Sequence, residues 1–215
     1  MAFLGRGTGG DPPIPQRLAT HFPELHRISW LEQIHSATVA GPDLAAVPNC
    51  GPVGRGDALV GDEGGRALVV VTADCVPVLV ATPKAKGREI GAIHAGWRGL
   101  VAGVIPQAVE SLKRVPEVAW IGPAIGPCCY EVDDDVANQV ARASSPSIRQ
   151  PGPAGKPHLD LVAAAAQQLE TLGVEDIRRV GGCTRCDPGW WSYRRDGAAA
   201  GRNLAVIWKA EEPGQ

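Results

Sequence analysis

The stretch ALVVVTADCVPVLVA, residues 67–81, decides the fold class of this 215-residue chain. Two short apolar runs rich in β-branched residues, 67–71 and 76–80, lie on either side of the polar segment 72–75. Runs of this length and composition are typical of strands that are buried on both faces. Because proline lacks the amide hydrogen that a central strand uses, Pro77 favours an edge position or a bulge for the second run.

Strand and helix patterns alternate on both sides of this stretch. The further predicted strands are 27–39, 89–94, 118–121, 177–180 and 203–208, and the predicted helices are 100–113, 133–142 and 161–172. We expect Pro106 to end or kink the first helix, and Asp160 and Gly173 to begin and end the last. The mixture predicts a single α/β or α+β domain over 27–215, after a weakly structured lead-in over 1–26.

Composition excludes several classes of function. With 21 basic and 23 acidic residues the formal net charge is −2, which argues against sequence-independent binding of nucleic acid but allows binding of one small anion. The N-terminus lacks the apolar run of a signal peptide, and no stretch reaches the roughly 20 apolar residues of a membrane span. We therefore expect a cytoplasmic protein that binds no membrane, whose six cysteines are thiols or metal ligands rather than disulfides.

Three separate segments each place a metal-binding side chain at the end of a predicted strand: His35, Cys75 and His94. Two imidazoles and a thiolate make three zinc ligands and leave a fourth position open, as in catalytic zinc sites. Nothing local forces these segments together. The residues alone therefore leave open a second interpretation, in which the histidines are structural and the cysteine is a small buried hydrophobe.

Five segments resemble, in the same order, those of the YfiH or laccase-domain family. They are QIH (33–35), ADCVP (73–77), AIHAGWRGL (92–100), GPAIGPCCYEV (122–132) and 183–201 with its WSYRRD core. The resemblance implies a zinc site of His35, Cys75 and His94, and purine nucleoside phosphorylase activity with adenosine deaminase and methylthioadenosine phosphorylase activities. It also implies an α/β sandwich of mixed sheets with flanking helices, similar to bacterial cysteine-hydrolase toxins.

Further site residues follow from these segments. Arg98 has the planar guanidinium that suits phosphate, although a structural ion pair would explain it equally well. Asp74 is expected to orient a histidine ligand or to act as a general base, provided that the turn at 72–75 breaks the strand alternation. The substrate-binding candidates are Gln33, Tyr130 and Arg194, with Asp57 a weaker one.

Other functions remain open at the level of sequence. Cys75 with His94 or His35 as its base would make an amide or ester hydrolase, with cell-wall precursors as a candidate substrate. The older family label implies a copper-dependent phenol oxidase, so copper is the less favoured alternative to Zn²⁺. Five histidines are too few for four copper ions held mainly by imidazole. A non-catalytic partner domain is the remaining alternative. For the enzyme we expect a nucleoside and phosphate as partners, and a monomer or homodimer.

The remaining cysteines form two short motifs. The Cys183-x-x-Cys186 motif suggests redox chemistry or half of a zinc site, and Cys128 with Cys129 would complete four thiolates. Because adjacent cysteines chelate one metal poorly, unpaired thiols are the favoured expectation.

Overall fold

The computed structural model describes residues 1–7, 18, 22, 25, 27–41, 50–84, 87–153 and 155–210. Its strands are β1 (Ala2–Leu4), β2 (Arg27–Glu32), β3 (Val39–Ala40), β4 (Cys50–Arg55), β5 (Ala58–Gly61), β6 (Arg66–Thr72), β7 (Val76–Ala81), β8 (Ile90–Ala95), β9 (Val118–Ile121), β10 (Arg149–Pro151), β11 (Pro157–Leu159), β12 (Asp176–Arg179) and β13 (Asn203–Trp208). Its α-helices are α1 (Trp97–Ala102), α2 (Val104–Glu110), α3 (Asp134–Ala143), α4 (Leu161–Thr171) and α5 (Tyr193–Asp196).

Two large mixed sheets form the domain. One has the strand order β1-β13-β6-β2-β4 and the other β12-β9-β7-β8-β5-β3, while β10 and β11 form a separate pair. Apolar side chains fill the space between the two sheets, among them Leu68 and Val70 of β6 and Leu79 of β7. Intervening residues of β6, such as Val69, are buried on the opposite face. The predicted sandwich of mixed sheets with flanking helices is confirmed, and the stretch 67–81 supplies strands buried on both faces.

Helices cover the outer face of the six-stranded sheet. Leu100 of α1, Ile105 of α2 and Leu169 of α4 belong to the same buried cluster as Val78 and Ile93 of the sheet. The predicted helix 100–113 is in fact two helices separated at Gly103, whose φ of 83° interrupts the helical conformation. Pro106 does not cause the break, because it lies in the first turn of α2, where its missing amide has no intrahelical partner.

The ends of α4 follow the predicted capping residues. The Asp160 carboxylate accepts a hydrogen bond from the backbone amide of Ala163 at 2.8 Å, which makes it the N-cap. Gly173 has a φ of 85°, a conformation that a glycine adopts without strain just after a helix. Both predictions are confirmed.

The prediction for Pro77 is wrong, because β7 is an interior strand between β8 and β9. The ladder with β9 begins at Val78, and the Pro77 carbonyl accepts from the amide of Gly122 at 2.9 Å, beyond the end of β9. The nitrogen and carbonyl of one strand residue face the same neighbour in an antiparallel pair. The missing amide therefore faces the end of β9, where it removes no ladder hydrogen bond.

Part of the expected lead-in is a strand. β1 pairs antiparallel with β13, with Leu4 opposite Leu204, and so forms one edge of the five-stranded sheet. Most of the lead-in from 8 onward lies outside the described residues. Among the helices of the described ranges, none combines the length and the apolar character needed to cross a membrane.

Candidate metal centre and the adjacent pocket

Three of the predicted site residues meet at one end of the sandwich. A ligand atom of each of His35, Cys75 and His94 lies within 4.8 Å of the others. The Cys75 Sγ lies 3.8 Å from the His35 Nε2, and the two imidazole rings are edge to face with centroids 4.9 Å apart. His94 is buried and His35 is exposed, so one side of the group is open to solvent.

Two strained turns create this convergence. His35 has a φ of 56° and Asp74 a φ of 93°, and they are the non-glycine residues with positive φ in the described part of the chain. Such conformations cost about 1–3 kcal/mol each and occur mostly at functional sites. The left-handed Asp74 breaks the alternation before β7, and β8 brings His94 opposite Pro77, two residues past Cys75.

Asp57, named above only as a weak substrate candidate, organises the centre from behind. Its fully buried carboxylate accepts hydrogen bonds from the amides of His35 (2.9 Å) and Ser36 (2.6 Å) and from the Ser36 hydroxyl (2.8 Å). The same carboxylate lies 2.8 Å from the Nδ1 of His94. Since a carboxylate only accepts hydrogen bonds, the Nδ1 of His94 carries a proton. The lone pair that can bind a metal ion is then the one on Nε2.

These contacts shift three pKa values. Burial acts to raise the pKa of the Cys75 thiol, but hydrogen bonds with His35 and His94 outweigh it and lower this pKa to about 6. Burial likewise acts to lower the pKa of His94, yet its hydrogen bonds with Asp57 and Cys75 raise it to about 9. The pKa of Asp57 falls to about 2, because the bonds from His94 and Ser36 exceed the effect of burial. Together these three pKa shifts favour a thiolate at Cys75.

The donor set and the space around it fit a metal ion. Two imidazole nitrogens and one thiolate suit zinc or copper. A Cβ built at Gly96 would lie 3.0 Å from both the Cys75 Sγ and the His35 Cδ2, so the absence of a side chain there keeps the centre open. Among the described histidines, His158 lies elsewhere, with its Nδ1 2.5 Å from the Pro127 carbonyl oxygen.

The Gln33 side chain bonds the backbone of a neighbouring strand. Its amide donates to the Val71 carbonyl (2.7 Å) and accepts from the Val71 amide (2.8 Å), so its side chain completes the edge of β6. The contact fixes the loop that carries His35. Gln33 therefore positions the loop that carries His35, and its substrate-binding role stays a prediction.

The Asp74 carboxylate bonds Thr184 and Arg194, and not a histidine ring. One oxygen accepts from the Thr184 hydroxyl (2.7 Å) and the other from the backbone amide of Arg194 (2.6 Å). Asp74 thus ties the Cys75 turn to the segment that contains Arg194. The carboxylate that orients a histidine is Asp57, and its position just before an apolar strand was the one sequence signal for it.

Two of the other candidate residues, Tyr130 and Arg194, line a polar cavity of about 300 Å³. Trp97, Tyr130, Lys156 and Arg194 are among its lining residues. The Arg194 guanidinium lies 5.1 Å from the centre of the Tyr130 ring, and the exposed Arg98 stacks over Trp97 at 4.4 Å. Burial first, and then the charge of the Cys75 thiolate, raise the pKa of Tyr130 to about 12. The cavity adjoins the His/Cys centre through the chain, because Trp97 directly follows Gly96 and the Arg194 amide bonds Asp74, the residue before Cys75.

Fold and site together define an α+β sandwich domain with a three-donor His/Cys/His centre beside a polar cavity that two cations and two carboxylates line. Residues 15–210 match the family model described as multi-copper polyphenol oxidoreductase laccase, and the chain belongs to this family. The resemblance to the YfiH or laccase-domain family is thereby confirmed.

Named relatives cover most of the chain. A purine nucleoside phosphorylase of Streptomyces coelicolor is 42% identical over 187 residues, which are 85% of this chain and 75% of that protein. The purine nucleoside phosphorylase YfiH of Escherichia coli is 38% identical over 187 residues, 83% of this chain and 72% of that one. A solved Neisseria meningitidis protein of the DUF152 family superimposes with a TM-score of 0.80 at 33% identity, covering 96% of this chain and 86% of that one.

Proposed function

We propose that this chain is a zinc-dependent purine nucleoside phosphorylase that also deaminates adenosine and cleaves methylthioadenosine. The observation that carries the proposal is the group His35, Cys75 and His94, held open beside the cavity of Tyr130 and Arg194. The names of the Streptomyces and Escherichia relatives support the phosphorylase part. The three-donor set supports zinc, because it leaves a coordination position for water or substrate.

Residues in and near the cavity offer contacts to different parts of the substrate. In phosphorolysis the bond from the ribose anomeric carbon to the purine nitrogen breaks, its electron pair leaves with the base, and a phosphate oxygen bonds to that carbon. Tyr130 and Trp97 offer aromatic faces for the base. Arg194 and Arg98 offer planar guanidinium groups for the phosphate oxygens. Asp57 keeps His94 in one tautomer throughout. A zinc ion, when bound, supplies a Lewis acid and lowers the pKa of a bound water, which deamination requires.

A product assay on adenosine tests the proposal. With phosphate we expect adenine and ribose 1-phosphate beside the deamination product inosine, and without phosphate we expect inosine alone. An Arg194→Lys variant keeps the charge but loses the planar fork, so its phosphate KM should rise about tenfold or more, equivalent to about 1.4 kcal/mol. The matched control is Arg178→Lys, since Arg178 is exposed and pairs with Asp176 outside the cavity. Absence of both products would refute the proposal.

A cysteine-nucleophile hydrolase is a second candidate, favoured by one observation. Asp57 contacts His94, and a ring nitrogen of His94 lies within 4.8 Å of the Cys75 thiol, which is the order of a Cys-His-Asp triad. Chelation separates the two functions. Removing the metal abolishes the phosphorylase and zinc restores it, whereas the hydrolase stays active without metal and is lost on thiol alkylation.

A further inference from the structure

The four cysteines of the two short motifs lie together at a second place in the fold. The Sγ atoms of Cys128, Cys129, Cys183 and Cys186 all lie within 4.8 Å of one another. Cys186 is the centre of the group, 3.4 Å from the Cys129 sulfur and 3.6 Å from that of Cys128. All four are free thiols. This cysteine cluster shares no residue with the His/Cys/His centre.

The spacing of the sulfurs matches a tetrahedral metal site. With a zinc–sulfur bond of about 2.3 Å, two thiolates at adjacent corners of a tetrahedron lie about 3.8 Å apart. The two sulfur–sulfur distances of Cys186, 3.4 and 3.6 Å, are close to that value. A disulfide would require about 2.05 Å. The arrangement therefore fits four ligands around one ion better than a covalent pair.

A tight turn removes the objection that adjacent cysteines chelate poorly. The amides of Cys129 and Tyr130 both donate to the Gly126 carbonyl at 3.0 Å, and this turn directs both cysteine sulfurs toward Cys186. Gly126 also allows the close approach of the second segment. A Cβ there would lie 3.2 Å from the Cys183 Cβ and 3.4 Å from the Cys128 Sγ.

Backbone amides shape the Cys183-x-x-Cys186 turn, and a further amide donates to a cysteine sulfur. The Gly126 amide donates to the Cys183 Sγ at 3.2 Å. In the Cys183-x-x-Cys186 turn, the amides of Cys186 and Asp187 donate to the Cys183 carbonyl at 3.2 and 3.0 Å. An amide donor of this kind stabilises the thiolate, the form of cysteine that binds metal, at Cys183.

We propose that Cys128, Cys129, Cys183 and Cys186 bind one structural Zn²⁺ ion, distinct from the ion of the His/Cys/His centre. The ion fastens the segment 122–131 to the segment 181–195. The hydrogen bonds that already join the two segments run from the Thr184 amide to the Ala124 carbonyl (3.0 Å), from the Gly126 amide to the Cys183 Sγ (3.2 Å) and from the Arg194 guanidinium to the Glu131 carbonyl (2.9 Å), and the ion adds to them. The Thr184 hydroxyl donates to the Asp74 carboxylate, which in turn accepts from the Arg194 amide. By fixing the segment of Thr184, the zinc ion therefore also stabilises the position of Arg194.

Metal analysis of the full chain, dialysed against zinc and then against metal-free buffer, tests this site. The wild type should hold two zinc ions, and Cys75→Ala and Cys186→Ser should each hold one. Arg185→Gln is the matched control within the same turn, and it should hold two because all four thiols remain. One zinc ion in the wild type and none in Cys75→Ala would overturn the proposal.

A second measurement does not depend on the folding of a cysteine-cluster variant. Cobalt(II) bound to four thiolates absorbs strongly in the near ultraviolet through sulfur-to-metal charge transfer. Cobalt-loaded Cys75→Ala should show this absorption at one equivalent. Its absence, or a disulfide among the four cysteines in peptide maps of protein purified under reducing conditions, would overturn the site.

Discussion

Asp57→Asn isolates the contribution of one buried carboxylate to both stability and metal affinity. Asp57 accepts from two backbone amides, one hydroxyl and the His94 imidazole, at 2.6 to 2.9 Å. Asparagine has the same shape, but one of its two positions becomes a donor that faces other donors. At least one buried amide of His35 or Ser36, or the imidazole, then loses its acceptor.

The expected loss follows from these contacts. Two lost charge-assisted hydrogen bonds, at about 1.5–3 kcal/mol each, give about 3–6 kcal/mol, and we expect a loss of about 3–5 kcal/mol, the range found when one partner of a buried ion pair is removed. For a chain of this size that lowers Tm by roughly 6–20 °C. Zinc affinity should fall by about 10–100-fold, as for other groups that orient a histidine ligand.

Thermal unfolding of metal-free protein and a zinc competition titration measure the two effects separately. The control is Asp62→Asn, the same substitution at an exposed carboxylate that pairs with Lys113. It should change stability by less than about 1 kcal/mol. A loss below about 1 kcal/mol for Asp57→Asn, with unchanged zinc affinity, would refute the organising role of Asp57.

Three further substitutions test the site and the fold. Gly96→Ala places a methyl group 3.0 Å from the Cys75 Sγ at a φ of −72°, which alanine adopts freely, so zinc affinity should fall roughly tenfold or more while the circular dichroism stays the same. Thr184→Val removes the donor to a buried Asp74 oxygen and should cost about 1–3 kcal/mol in urea unfolding. Asp160→Ala removes the N-cap of α4 and should cost about 1 kcal/mol, which lowers Tm by about 2–4 °C.

Each of these substitutions has a matched control. Gly61→Ala adds a methyl group where nothing lies within 4 Å, and its zinc affinity should equal that of the wild type. Thr184→Ser and Asp160→Ser keep the hydroxyl donor and the capping oxygen and should recover most of the stability. Zinc binding by Gly96→Ala at wild-type strength, or a serine variant as unstable as its valine or alanine counterpart, would contradict the assigned contacts.

Local pattern was sufficient for many elements of the fold. The strands Val118–Ile121 and Asn203–Trp208 lie where the apolar runs predicted them, and α4 begins and ends at its predicted caps. These features depend on residues within about one turn or one strand of each other. The errors at Pro77 and Gly103 have another origin: the first depends on which neighbouring strand the Pro77 nitrogen faces, and the second on the left-handed conformation of Gly103.

The sequence by itself determined the fold class and the residues that offer metal-binding donors. Their side-chain chemistry is the same wherever the chain places them, and short-range periodicity fixes the strands that carry them. The tertiary structure decided which donors meet. Asp57 and His94 are 37 positions apart and Cys129 and Cys186 are 57 apart, so their contacts depend on strand order and on turns between distant segments. No local pattern encodes that order, because loop closure brings distant residues together at a free-energy cost that depends little on their identity.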